Sequence, residues 1–259
     1  MTVLKVENLS IQFRGLKAVD DIDFSVEENT VFSIIGPNGS GKTTIFNLIS
    51  GIYRPNSGKI FFLGENLVGY RPDKIAKKGI ARTFQNIELF DKASVMDNIM
   101  LGRHIHMKTG VWRGMTATFL GERSPAAKEE IKNREFVEDI IDFLDLQAVR
   151  DVPVGGLPYG KRKLVELARA LALEPKVLLL DEPTAGMNTE EKEDMSLWIK
   201  EIQEIYKITI LLIEHDMNLI MDISDRIMAV NHGKKIIEGL PHQVQKHPDV
   251  IKAYLGEDA

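Results

Sequence analysis

Eight consecutive residues carry the most specific chemistry in the chain: Gly36-Pro37-Asn38-Gly39-Ser40-Gly41-Lys42-Thr43, followed by Thr44. They satisfy the spacing G-x-x-x-x-G-K-[ST], in which glycines let the backbone curl until successive N–H groups point at phosphate oxygens. Lys42 is placed to reach the β- and γ-phosphates of a nucleotide, and Thr43 to offer its hydroxyl to Mg²⁺. The bland alternative is a glycine-rich turn that carries a lysine by chance. The flanks argue against it, because an apolar strand precedes the loop and a helix follows. A second run, Val177-Leu178-Leu179-Leu180-Asp181-Glu182, is an apolar strand ending in two acids. A carboxylate at the C-terminal end of a parallel strand faces the crevice where such sheets bind ligands. Asp181 suits the Mg²⁺ shell, and Glu182 suits polarisation of an attacking water. Alone, Asp-Glu after a strand reads as a solvated turn; beside the glycine-rich loop it reads as that loop's partner.

The elements around these residues alternate between strand-like and helix-like segments, which predicts an α/β architecture. Val31 to Ile35 is a buried strand, and Thr43 to Ser50 a helix that Gly51 is suited to stop. Ile60 to Leu63 is expected at the edge of an N-terminal antiparallel β layer, with Thr2 to Val6 and Asp21 to Val26. Further on, Ser124-Pro125 supplies a helix start, and Val137, Ile140, Ile141 and Leu144 recur at the spacing of one buried helix face. No strong buried strand occurs between Gln85 and Gly156. The α/β pattern then resumes with a helix (Leu164, Leu167, Ala168, Leu171), the Val177 strand, a second helix and the strand Ile210 to Ile213. That second helix starts near Asn188 or Thr189, with Met195, Trp198, Ile199, Ile202 and Ile205 as its face. The expected organisation is a single domain over residues 1–259. Its core is 1–84 with 157–240, a helical subdomain is inserted at about 85–156, and a helical extension covers about 241–259.

The 259 residues are 44% hydrophobic and 27% charged, ordinary values for a globular chain. Lys and Arg number 33 against 38 Asp and Glu, a formal charge of −5. That balance disfavours nucleic acid as a partner, since phosphate neutralisation needs basic surface. The absence of cysteine excludes disulfides, zinc ribbons and thiol catalysis together. No signal peptide is visible after Met1, and no stretch approaches the ~20 apolar residues that cross a bilayer. The expectation is a soluble chain whose membrane role comes through a partner.

With the loop and the Asp181-Glu182 pair in place, the sequence resembles the ATP-binding cassette family of transporter ATPases over nearly its whole length. The resemblance implies a P-loop nucleotide-binding α/β fold with an antiparallel layer and an inserted helical subdomain. In Thr83-Phe84-Gln85-Asn86, Gln85 is similar to the family's glutamine loop, which links metal and water to the transmembrane partner. His215, after Glu214, is similar to the switch histidine that contacts the γ-phosphate, and Phe13 to the aromatic that stacks on adenine. By themselves a histidine after a strand reads as surface and Phe13 as core; their order relative to the loop is what raises them. The family's signature, Leu-Ser-Gly-Gly-Gln at a helix start, is replaced by Leu157-Pro158-Tyr159-Gly160-Lys161. The serine hydroxyl is gone and Pro158 has no N–H, but Gly160 and the helix dipole remain. The loop that ends in aspartate in the family reads Ala185-Gly186-Met187-Asn188.

These departures, with Gly79 to Asn86, the insertion after Leu101-Gly102-Arg103-His104 and the ending Asp249 to Gly256, resemble one branch of the family. That branch is the larger ATPase of branched-chain amino acid uptake systems. Urea and short-chain amide uptake systems use similar ATPases and stay open, as does a soluble cassette ATPase without a transport role. A small-molecule kinase or GTPase shares the loop but not Gln85, Leu157 to Lys161 and His215 together. The resemblance implies two cassettes sandwiching two ATP molecules with Mg²⁺, as a homodimer or with a second ATPase subunit. It also implies integral membrane permease subunits, an external solute-binding protein acting indirectly, and a place on the cytoplasmic face of the inner membrane. The stretch Arg103 to Arg123, with Lys108, Arg113, Trp112, Met107, Met115 and Phe119, reads either as surface loop or as a permease-docking patch. If the altered signature still closes an ATP site, Gly160→Asp should impair hydrolysis by the assembled transporter through bulk and phosphate repulsion. Unchanged ATPase activity of that complex would show that this segment does not face nucleotide.

Overall fold

The computed structural model describes residues 1–107 and 125–255. Lys108, Trp112, Arg113, Met115, Phe119, Ser124 and Gly256 lie outside the described residues. Two compact units divide the chain, one formed by Met1–Gln85 with Lys176–Ala259 and the other by Asn86–Pro175.

The first unit holds two sheets. Strands β1 (Thr2–Phe13), β2 (Leu16–Glu27), β4 (Ser57–Phe62) and β5 (Glu65–Asn66) form an antiparallel sheet in the order β2-β1-β4-β5. The Ile60 segment is thus internal, because two-residue β5 pairs beyond it. The second sheet combines β3 (Val31–Ile35), β6 (Ile80–Arg82), β7 (Val177–Asp181), β8 (Thr209–Ile213), β9 (Arg226–Asn231) and β10 (Lys234–Gly239). Its order is β10-β9-β3-β8-β7-β6, parallel except for β10. Strands β3, β7 and β8 are buried at every residue, which explains why they are apolar apart from Ser33, Asp181 and Thr209. Helices α1 (Lys42–Ile49) and α2 (Pro72–Lys78) follow β3 and β5. Ile45, Phe46 and Ile49 of α1 join strand residues of both sheets in one apolar core.

In the second unit α3 (Val95–Met100), α4 (Pro125–Phe143) and α5 (Tyr159–Leu171) are the α-helices described. Val137, Ile140, Ile141 and Leu144 are at most 1% exposed, the stripe their spacing predicts. This compact unit runs to Pro175 and includes α5. Arg103 donates to the Ala172 carbonyl at 3.0 Å and pairs with Glu174. A methyl at Gly102 would lie 2.4 Å from the Arg169 carbonyl oxygen, so the backbones touch there.

The remaining helices are α6 (Thr189–Tyr206), α7 (Met217–Ile223), α8 (Pro241–Gln245) and α9 (Pro248–Leu255). Asn188 caps α6 in a full capping box: its side chain accepts from the Glu191 N–H, and Glu191 accepts from the Asn188 N–H, both at 3.0 Å. Met195, Ile199 and Ile202 of α6 are buried, but Ile205 is 64% exposed. At 100° per residue Ile205 has drifted about 80° from Met195 around the helix, off the buried face. Val244 of α8 and Val250 of α9 are buried in one apolar cluster with Ile35, Ile220, Ile227 and Ala229.

A buried ion pair fastens β6 to β7, with an Arg82 guanidinium nitrogen 2.8 Å from Asp181 Oδ2 and side-chain exposures of 6% and 1%. Arg82 also donates to Asn47 Oδ1 at 2.7 Å and Ser50 Oγ at 3.0 Å, and lies over the rings of Phe46 and Phe84. Burial lowers the guanidinium pKa, and the Asp181 charge opposes that shift. Removing one partner of such a pair strands a charge in low dielectric. Arg82→Met should therefore lower unfolding stability by about 3–5 kcal/mol in urea titration. A loss under about 1 kcal/mol would mean the pair has no structural weight.

Candidate functional site

Every functional group singled out in the first unit sits at or just past the end of a strand. The phosphate loop leaves β3, whose Ile35 precedes Gly36. A methyl on Gly36 would lie 2.1 Å from the Val230 carbonyl oxygen, and one on Gly41, at φ 105°, 2.4 Å from that of Ala18. Both positions thus demand glycine by contact as well as by torsion. Ser40 donates its N–H to the Pro37 carbonyl at 3.2 Å, closing the turn. Lys42 opens α1 and is 5% exposed, its ammonium donating to the carbonyls of Gly36 at 2.7 Å and Pro37 at 3.0 Å. Burial pushes its pKa down, while the charges of Glu182 and Asp181 push it up.

A cavity of about 340 Å³ opens over this loop. Asn38 to Thr44 form one wall, Gln85 and Glu182 another, and Leu16, Lys17, Ala18 and His232 complete the lining. Glu182 lies at the centre of a polar cluster. Its Oε1 is 2.7 Å from His215 Nε2, and its Oε2 accepts from Gln85 Nε2 at 3.0 Å. Three residues taken from distant parts of the sequence therefore meet at one carboxylate. Glu182 has a φ of 51°, a left-handed conformation unusual for a side chain larger than Asn or Asp. Its N–H donates to the Ile213 carbonyl at 2.9 Å, which holds this turn against the end of β8.

Some residues of this site carry no motif. Glu214, 3% exposed, accepts from the Thr184 N–H at 2.8 Å and the Thr184 hydroxyl at 2.6 Å, and from the His215 N–H at 3.0 Å. One carboxylate thus ties the turn after Glu182 to the turn that bears His215. Lys17, Ala18 and His232 came unannounced as well, since hairpin-tip residues join the lining only through the close approach of Ala18 to Gly41 and Gly233.

Two other expected residue sets lie elsewhere. Phe13 is 40% exposed and meets Tyr53 edge to face, with ring centroids 5.1 Å apart, outside the lining of the cavity. Leu157 to Lys161 belong to the second unit, where Pro158 is the N-cap of α5 and makes no side-chain capping bond. Gly160 is buried there, Tyr159 is 44% exposed, and Lys161 donates to the Asp145 carbonyl at 3.2 Å.

The Thr43 hydroxyl, the Gln85 side-chain oxygen and the Asp181 carboxylate, one oxygen of which pairs with Arg82, are donors that could hold Mg²⁺. This all-oxygen set fits a hard cation that shares its shell with phosphate and water. Among the described residues no cluster of three or more His, Cys, Asp or Glu side chains forms a self-sufficient metal cage, and no helix is long and apolar enough to cross a membrane.

Comparison with known proteins agrees with this geometry. Residues 19–185 match the ABC transporter family model, and residues 234–259 match the model of the branched-chain amino acid ATP-binding cassette transporter. The chain is 40% identical over 255 residues to BraF of Pseudomonas aeruginosa, a high-affinity branched-chain amino acid transport ATP-binding protein, covering 98% of both chains. It is 38% identical over 257 residues to LivG of Escherichia coli K12, which carries the same description, again over 98% of each. A crystal structure of a nucleotide-free ATP-binding cassette from an ABC transporter superposes with a TM-score of 0.84 at 30% identity, covering 99% of this chain and 100% of that one. With phosphate loop, strand-end acids and histidine at the same end of neighbouring parallel strands, and with relatives matched over 98% of its length, the chain belongs to the ABC transporter family as one of its ATP-hydrolysing cassettes.

Proposed function

We propose that this chain drives an importer of branched-chain, hydrophobic amino acids. In this reading it works at the cytoplasmic face of the cell membrane, bound to integral permease subunits and paired with a second ATPase subunit. An external solute-binding protein acts through the permease. The observation that carries the catalytic part is the Glu182 carboxylate held between His215 and Gln85 above the phosphate loop. The substrate class is supported by the names of BraF and LivG and by the family match over residues 234–259.

Phosphoryl transfer to water asks mainly for positioning and charge stabilisation. Lys42 and the loop amides, helped by the N-terminal end of α1, receive the β- and γ-phosphates. Glu182 accepts a proton from the attacking water, and His215 orients that carboxylate from one side while Gln85 does so from the other. Glu214 keeps the two turns in register, so that His215 and Glu182 face each other. Mg²⁺, held through Thr43, Gln85 and Asp181, supplies neutralisation of phosphate charge when bound. Phe13 offers its ring face to adenine, and Leu157 to Lys161 close the site of the partner subunit, through Gly160 and the start of α5. Closure of the ATP-bound pair and reopening after hydrolysis bias the permease between its conformations.

Glu182→Gln should retain ATP affinity within about threefold while turnover of the assembled transporter falls about 10²–10⁴-fold. Steady-state hydrolysis near the unmutated rate would remove Glu182 from the base role. Lys42→Ala should instead weaken nucleotide binding by about tenfold or more, because it deletes a charge-assisted contact. The solute is tested by uptake of labelled leucine, urea and short-chain amides into vesicles that contain the whole complex. Uptake of leucine alone is expected. Uptake of urea or amide without leucine would reassign the substrate and leave the ATPase reading intact.

A further inference from the structure

Helix α9 carries two contacts on one face, four residues apart. Val250, 3% exposed, anchors the helix in the apolar cluster against Ile35 and Ala229. One turn on, the Tyr254 hydroxyl accepts the Gly36 N–H at 2.8 Å. Tyr254 keeps 38% of its surface exposed, and its partial burial raises the phenol pKa. Gly36 is the residue at which the chain leaves β3 and becomes the phosphate loop. Its N–H goes to Tyr254, and its carbonyl accepts from the Lys42 ammonium at 2.7 Å. A single glycine therefore links the C-terminal helix to the lysine that receives phosphate. Beside it, a second cavity of about 430 Å³ separates Pro37 to Ser40 from Asp249, Lys252 and Ala253. Across that gap the Tyr254 bond joins α9 directly to the start of the loop, while on the β9–β10 side the Gly233 N–H donates to the Ser40 carbonyl at 2.9 Å.

We propose that Tyr254 is a positioning residue for nucleotide binding: its hydroxyl fixes Gly36 and, through it, the Lys42 end of the phosphate loop. Without that acceptor, the Gly36 amide loses its anchor and the loop entrance samples more conformations. Phosphate then has to order the loop at the cost of affinity. The C-terminal segment thereby takes part in the ATP site from outside the lining of its cavity. By linkage, nucleotide holds α9 down as firmly as α9 holds the loop.

The test uses the full chain, ADP with Mg²⁺ as the probe, and three variants. Tyr254→Phe, which removes only the hydroxyl, should raise the ADP Kd about three- to tenfold, the range expected for one lost hydrogen bond. Tyr254→Ala should raise it by a similar factor. Ile251→Ala, on the same helix and 44% exposed, should leave it unchanged. Amide hydrogen exchange at Gly36 should quicken in Tyr254→Phe while Val31 to Ile35 keep their protection. A Tyr254→Phe protein with unaltered Kd, even if its melting point falls, would reduce Tyr254 to packing and overturn the proposal. So would an equal loss in Ile251→Ala, or unchanged exchange at Gly36. If Tyr254→Ala does not fold, Tyr254→Phe decides alone.

Discussion

Parallel register is the constraint on which the site depends. Val31 to Ile34 of β3 lie opposite Ile210 to Ile213 of β8, and Asp181 of β7 lies opposite the same Ile213. The strand ends therefore fall in one row, and each continues directly into a functional turn. The loop of Gly36 leaves β3, Glu214 and His215 leave β8, Asp181 and Glu182 end β7, and Gln85 follows β6. A slip of two residues would keep the apolar faces matched but move one turn by ~6.6 Å along its neighbour. Contacts of 2.7 and 3.0 Å around Glu182 tolerate no such shift.

Buried charges refine what register sets approximately. Arg82 draws Asp181 toward β6 and, through Asn47 and Ser50, toward the far end of α1. Glu214 does the same for the turns after β7 and β8, with three donors aimed at one carboxylate. Unpaired, each of these groups costs several kcal/mol; paired, each has one favourable geometry. The left-handed backbone of Glu182 is held within this frame, where its N–H bond to Ile213 offsets the torsional strain.

What the sequence made legible follows from how local each signal is. The phosphate loop was readable because its torsional demands and its lysine lie within eight residues, and β7 because its five apolar-to-acidic residues are contiguous. The helix face of α4 was readable from spacing alone. By contrast, Arg82 meets Asp181 across 99 positions, and Gly36 meets Tyr254 across 218. No spacing rule links such pairs, and Tyr254 in particular sits in a short C-terminal helix that reads as an appendage. The contact of α5 with the residues around Gly102 and Arg103 is equally non-local, and no spacing rule announces it. Ile205 shows the limit of reading by periodicity, since Met195, half-buried Trp198, Ile199 and Ile202 on α6 invite a fifth residue that the helix geometry turns to solvent.

The first unit is assembled from two pieces of chain, and that affects the order in which the protein takes shape on the ribosome. The hairpin of β1 and β2 is local, with Phe13 opposite Leu16, and can close as soon as it emerges. Strand β3 has no such neighbour: Val31 pairs with Ile210, and Phe32 with Arg226. At about 5–20 residues per second, roughly ten to forty seconds of translation separate β3 from its partners. Through that interval a strand apolar at all but Ser33 has both edges open, in a conformation prone to pair with foreign strands. The continuous helical unit can fold during the wait, because its partners are already synthesised. Translation rate and holding chaperones therefore bear on how much of the chain reaches the finished fold, alongside the equilibrium stability of that fold.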